Sequence, residues 1–172
     1  MVTYYEPYIY YHNISKAIMK NKKMTILVDT RESVPYLFKK YPDVFVMRDA
    51  LSCGDFSVFP YNSDDFFIER KTLQDATSSF TAGRERFEAE WKRAKPGASK
   101  TLLIEGDFLS IIMGDYRSNF NPTSFLGSIF SWSIKYKFNI VFVKNATEGQ
   151  ICVYWLCREF LHFMKKQKEG EL

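Results

Sequence analysis

Two hydrophobic periods alternate along this chain, one of strands and one of helices. Residues 25–29 form a short apolar run closed by Asp29, which predicts a buried strand. Residues 35–40 begin at Pro35, and proline in a first turn predicts a short helix. Residues 44–47 predict a second strand. Residues 55–59 and 66–71 predict two adjacent strands, joined by the turn-forming residues 60–64.

The period then lengthens. Phe87, Trp91 and Ala94 share one face of a helix expected over residues 83–95, with Arg84, Arg86, Lys92 and Arg93 opposite and Pro96-Gly97 at its end. Residues 101–105 predict a buried strand. Asn121 as a cap and Pro122 at the first helical position open another helix. Phe125, Ile129, Trp132 and Tyr136 fall on one face of it, with Leu126, Phe130 and Ile134 beside them, so deep burial is expected. Residues 139–143 predict a strand. Thr147-x-x-Gln150 reads as a capping box for a last helix whose end carries Lys165, Lys166 and Lys168.

Strands alternating with helices predict an α/β fold, a central sheet covered on both faces. The chain has 172 residues, enough for one substantial core. The expected division is a leader over residues 1–23 and a single domain over 24–168. The leader is tyrosine-rich, then lysine-rich. It reads as a loosely ordered segment or a short docked helix, with a DNA-contacting arm as the alternative.

Composition excludes more than it selects. The net charge of +4 permits phosphate binding, but 24 basic residues are mixed with 20 acidic ones, so folding has to make any basic surface. Cys53, Cys152 and Cys157 form no regular pattern among themselves or with His12 and His162, which argues against disulfides and structural zinc. No apolar run reaches the roughly 18 residues of a membrane span, and the N-terminus lacks a secretory pattern. The expectation is a soluble protein of a bacterial or phage-infected cytoplasm, or of the nucleus in a eukaryote, with no membrane partner.

The informative stretch is Gly54-Asp55, thirteen intervening residues, then Glu69-Arg70-Lys71, three more, and Asp75. Side chains alternate along a strand, so Glu69 and Lys71 point to one face and Arg70 and Ile68 to the other. Asp55 opens the neighbouring strand and can sit beside Glu69. Hard carboxylates hold Mg²⁺ or Mn²⁺ with water positions left open. Such a metal acidifies water and polarises a phosphate, and a nearby lysine stabilises developing negative charge. A lone Glu-x-Lys on an exposed strand is ordinarily a surface pair worth about 1 kcal/mol or less. Here the strand is apolar (Phe66, Phe67, Ile68), and a second acidic element, Asp29 to Glu32, closes the first strand. Carboxylates at several strand ends suggest a shared site.

At these residues the sequence resembles the XPF-type nuclease domain of structure-specific endonucleases, in the restriction-endonuclease-like superfamily. Val-Asp-x-Arg-Glu precedes Gly-Asp and Glu-Arg-Lys-x-x-x-Asp, and the likeness runs from about Thr25 to Phe163. The resemblance implies a mixed sheet flanked by helices and a metal-dependent endonuclease. Asp55 and Glu69 match principal metal ligands, Asp29 an assisting one, and Lys71 the catalytic lysine. Glu32, Arg70 and Asp75 match supporting positions. Gly83-Arg84 resembles a pair whose arginine lies near the active site, the plain alternative being a solvated helix charge. Tyr116-Arg117-Ser118 resembles compact stand-alone members from bacteria and phages, with Arg117 as a phosphate contact or an ordinary loop charge.

The implied substrate is branched or flapped DNA, cut near a junction in repair, recombination or replication. The implied cofactor is Mg²⁺ or Mn²⁺. Members commonly carry a tandem helix-hairpin-helix module, and none is expected within these 172 residues. A homodimer through the nuclease domain is a further expectation, with the last two helices as its surface. The alternatives are a catalytically inactive DNA-binding subunit and a related resolvase or restriction-type nuclease.

Overall fold

The computed structural model describes residues 23–117 and 119–171. The expectations for the leader before Lys23 and for Ser118 lie outside them. Six strands form one sheet: β1 (Met24–Asp29), β2 (Val44–Asp49), β3 (Phe56–Phe59), β4 (Phe66–Thr72), β5 (Ser99–Glu105) and β6 (Asn139–Val143). Their spatial order is β2-β1-β3-β4-β5-β6. Only β3 among them is reversed: it runs antiparallel to β1 and to β4, while β1–β2, β4–β5 and β5–β6 are parallel. The ends of β1, β4 and β5 therefore share one edge of the sheet with the start of β3. Asp29, Asp55, Glu69 and Glu105 all come to that edge.

Among the described residues five helices cover the sheet: α1 (Leu73–Ser79), α2 (Arg84–Arg93), α3 (Phe108–Met113), α4 (Pro122–Tyr136) and α5 (Ala146–Glu169). Strand alternation divides the core in two. Phe67, Leu102 and Ile104 pack with Ala76, Phe80, Phe87, Trp91, Phe125 and Trp132, from α1, α2 and α4 and the residue after α1. Phe66, Ile68 and Leu103 pack on the other face with Val153, Tyr154 and Cys157 of α5. The mixed sheet with helices on both faces agrees with the sequence expectation.

Four local expectations change. Residues 35–40 form no helix. Tyr36 and Phe38 are buried in the core on the α5 side, Phe38 takes a left-handed φ of 48°, and its N–H donates to Gln150 Oε1 at 3.1 Å. Burying two rings outweighs the weak helix signal of one proline. Thr147-x-x-Gln150 is not the cap of α5. Asn145 takes that role by accepting from Thr147 N and Glu148 N, as its higher capping rank allows. α4 is less buried than its composition suggests, since Phe130 and Ile134 stay exposed. Finally, α1 and α3 are additions, because helices of seven and six residues are too short to display a period.

Gly149 explains how α5 approaches the sheet. A Cβ there would lie 2.0 Å from Tyr36 Oη, so only hydrogen leaves room for the tyrosine. Cys53 and Cys157 are buried and all three cysteines are free thiols. No helix of the described residues is long and apolar enough to cross a membrane.

Candidate active site

The antiparallel β3–β4 pair builds the centre of the site. Asp55 N donates to Ile68 O at 2.9 Å, and Asp29 N donates to Asp55 O at 2.9 Å, so three strands fix the Asp55 backbone. Gly54 precedes it at φ 70°, and a Cβ there would meet Phe67 Cδ2 at 2.6 Å. Both the left-handed backbone and the ring require glycine before Asp55. The Asp55 carboxylate turns toward β4, where Oδ2 accepts from Arg70 N at 2.7 Å.

Glu69 and Lys71 lie on one face of β4, as alternation predicts. Lys71 Nζ donates to Glu69 Oε1 at 2.6 Å. The ammonium also stands 4.8 Å from the centre of the Phe87 ring, which α2 brings over it. Arg70 points to the opposite face and meets Glu105, 2.9 Å from Nε to Oε1.

Electrostatics set these groups apart from an ordinary surface pair. Glu69 is 5% exposed. Burial, then the charge of Asp55, pushes its pKa well above the usual carboxylate value despite the opposing Lys71. Burial also leads for Asp55, whose pKa is pushed up to about 6 against the pull of the Arg70 N–H. Burial opposes the charge on Lys71, but Glu69 outweighs it and holds the ammonium above its ordinary pKa. The site thus holds a charged lysine beside two carboxylates that disfavour each other's ionisation.

A cleft of about 700 Å³ opens over these residues. Asp29, Asp55, Glu69 and Lys71 all line it, as do Glu32, Arg70 and Asp75. Asp29 is nonetheless fully engaged. Oδ1 accepts from Arg31 N and Nε, and Oδ2 from Arg31 Nη2 and Leu51 N. Burial resists its ionisation, but these bonds win and its pKa lies below the usual value. Asp75 exchanges hydrogen bonds with the Thr72 hydroxyl, which caps α1. Glu32 Oε1 accepts from Val34 N, and Oε2 lies 3.7 Å from Arg70 Nη1. Arg84 and Arg117 do not line the cleft. The Arg84 guanidinium instead covers the Trp132 ring at 5.0 Å.

Sequence reasoning missed Arg86, Glu90 and Arg93, which also line the cleft. They follow Gly83 at three, seven and ten residues along α2, together with Phe87 at four. That spacing is a helical face and is visible in the sequence. Phe87 and Trp91 mask it, because they mark the apolar face and leave the charges to the far side.

A divalent cation suits the donor set. Two carboxylates raised by burial and by neighbouring negative charge, Asp55 acting on Glu69 and Glu32 and Glu90 on Asp55, lose that penalty when a positive ion lies between them. No group of three His, Cys, Asp or Glu side chains among the described residues is arranged to hold a metal. Mg²⁺ commonly takes only one or two carboxylates and completes its shell with water and substrate phosphate. Asp55 and Glu69 are two such carboxylates at adjoining strands, and both line the cleft.

The ERCC4 domain family model matches residues 28–154. No curated protein sequence matches the chain. Among solved structures, XPF from Aeropyrum pernix is similar with a TM-score of 0.62 and 22% identity, over 78% of this chain and 60% of that one. XPF from Aeropyrum pernix in complex with DNA is similar with a TM-score of 0.63 and 19% identity, over 81% of this chain and 66% of that one. The chain therefore spans under two thirds of the length of either structure. With its mixed sheet matching the restriction-endonuclease-like fold of these XPF structures and the family model covering most of its length, the chain belongs to the ERCC4 domain family.

Proposed function

We propose that this chain is a metal-dependent endonuclease that hydrolyses phosphodiester bonds near junctions in flap, fork or branched DNA. The observation that carries the reading is the pairing of buried Glu69 with Asp55 and the charged Lys71 on the floor of an open cleft. A non-catalytic subunit has no use for mutually repelling carboxylates, which cost stability. The related structure described as a complex with DNA supports the choice of polymer.

In this reading Asp55 and Glu69 hold a Mg²⁺ or Mn²⁺ ion. When bound, the ion acidifies water and polarises the phosphate. Lys71 keeps its charge beside Glu69, orients the attacking water and stabilises negative charge gathering on the phosphoryl oxygens. The Arg70 N–H fixes the Asp55 carboxylate. Asp29 orders Arg31 and Leu51 at the rim, and joins the metal only if Arg31 releases it. Arg86 and Arg93 flank Glu90 on the cleft face of α2 and receive the DNA backbone.

The test is a panel of 3′-flap, fork, nicked, four-way and linear duplexes, incubated with Mg²⁺, with Mn²⁺ and with chelator alone. Cleavage of the junction substrates with either ion and not with chelator is expected. Equal cleavage with chelator would remove the metal, and equal cutting of linear duplex would remove the junction preference. A second expectation concerns α2. Arg86→Ala and Arg93→Ala should each weaken DNA binding uniformly across sequences and reduce the salt slope of log K by about 1. An unchanged slope, measured by fluorescence anisotropy in chelator, would move the phosphate contacts off this helix.

A further inference from the structure

The far face of β4 carries a set of contacts that the cleft chemistry does not use directly, joined to the cleft rim where Glu32 Oε2 lies 3.7 Å from Arg70 Nη1. Arg70 Nε and Nη2 donate to Glu105 Oε1 and Oε2 at 2.9 and 3.2 Å, a two-point clasp. Nη1 donates to Val34 O at 2.8 Å. The guanidinium lies 4.5 Å from the centre of the Tyr36 ring, and the Tyr36 hydroxyl donates to Glu105 Oε1. Tyr36 in turn stacks on Phe56, with centroids 5.2 Å apart and planes 17° from parallel. Phe56 directly follows Asp55. Gly149 closes the set from α5 by leaving space for the tyrosine.

Two routes thus run from this cluster to Asp55. One passes through the Arg70 backbone, whose N–H donates to Asp55 Oδ2. The other passes through the Phe56 ring to the residue before it. Neither Tyr36 nor Glu105 lines the cleft. The geometry points to Glu105 and Tyr36 as positioning residues that set the orientation of the Asp55 carboxylate through Arg70 and Phe56, without touching DNA or metal. This inference rests on the proposed metal-dependent reading. It differs from a plain stability role in one respect: loss of either group alters metal affinity in protein that remains folded.

The experiment measures Mn²⁺ binding to the full chain by calorimetry, without DNA, for the native protein, Glu105→Gln and Tyr36→Phe. Circular dichroism first establishes that each is folded at the temperature used. Tyr36→Phe keeps the ring and loses only the hydroxyl, so it remains informative if Glu105→Gln does not fold. Phe125→Leu, in the core on the other face of the sheet, is the control for lowered stability alone. The Mn²⁺ dissociation constant is expected to rise about 10-fold in Glu105→Gln, which weakens the direct clasp on Arg70, and in Tyr36→Phe, which frees the Glu105 carboxylate that makes it, and to stay at the native value in Phe125→Leu. DNA affinity in chelator is expected to be unchanged in all of them. Native Mn²⁺ affinity in folded Tyr36→Phe and Glu105→Gln overturns the positioning role alone, as does an equal loss in Phe125→Leu. Absence of Mn²⁺ binding by the native protein overturns the metal-dependent reading, and this inference with it.

Discussion

Glu69→Ala is expected to lower the rate of junction cleavage by roughly three orders of magnitude or more, the scale of losing metal-centred chemistry. The reason is local. Glu69 supplies one of two carboxylates beside the cleft floor and is the direct partner of Lys71, with 2.6 Å between the charged atoms. Alanine also leaves a half-buried ammonium unpaired, so Glu69→Gln serves as the milder companion, keeping an oxygen acceptor for Lys71. Both variants should bind DNA with nearly native affinity, because phosphate contacts dominate binding and Glu69 makes none. Single-turnover cleavage and chelator anisotropy on the same preparations separate the two effects. Native turnover in a folded Glu69→Gln protein would end the assignment of this site.

The second large effect is on stability, and its sign depends on pH. The pKa of Asp55 is pushed up to about 6 in the folded protein from an ordinary value of 3.8. Below the ordinary value the group is protonated in both folded and unfolded chains, and folding loses nothing. Between about 3.8 and 6 the unfolded chain has released its proton while the folded one still holds it, and above 6 both are ionised. Stability therefore falls across this window and stays lower above it. The loss is roughly 2–3 kcal/mol, because each tenfold difference in proton affinity between the two states is worth about 1.4 kcal/mol. Asp55→Asn removes the charge and keeps an oxygen for the Arg70 N–H. Without divalent ions, Asp55→Asn should melt roughly 5–10 °C above the native protein at pH 8, and level with it near pH 4. Mg²⁺ should raise the native melting temperature at pH 8 and leave the variant unmoved. Parallel melting curves for the two proteins across the whole pH range would contradict this account.

Most of the sheet and the centre of the site could be read from the chain because both rest on short-range periods. A strand alternates sides, so Glu69 and Lys71 had to share a face and Arg70 had to leave it. A run of turn residues between two strands made Asp55 a neighbour of Glu69. The remainder depends on partners far apart in sequence. Tyr36 and Phe38 leave their expected helix because α5 offers them Gly149 and Gln150, the latter 112 positions beyond Phe38. Glu105 could be placed at a strand end, but not opposite Arg70, before the parallel pairing of β4 with β5 was known. Arg86, Glu90 and Arg93 needed the rotation of α2 about its axis, which the packing of Phe87 and Trp91 decides. Asp29 was legible as a carboxylate at a strand end, while its capture by Arg31 was not. Arg84 was placed near the site by likeness alone; it follows Gly83 of the cleft wall, and its guanidinium lies over the ring of Trp132.

The division of β4 into two chemical sides restricts how this gene can drift in length. One codon gained or lost between Phe66 and Glu69, with the start of the strand held in register, would swing the glutamate and lysine behind the sheet and bring the arginine to the front. The connection over residues 60–65 lies outside that constraint and can lengthen or shorten without exchanging the sides.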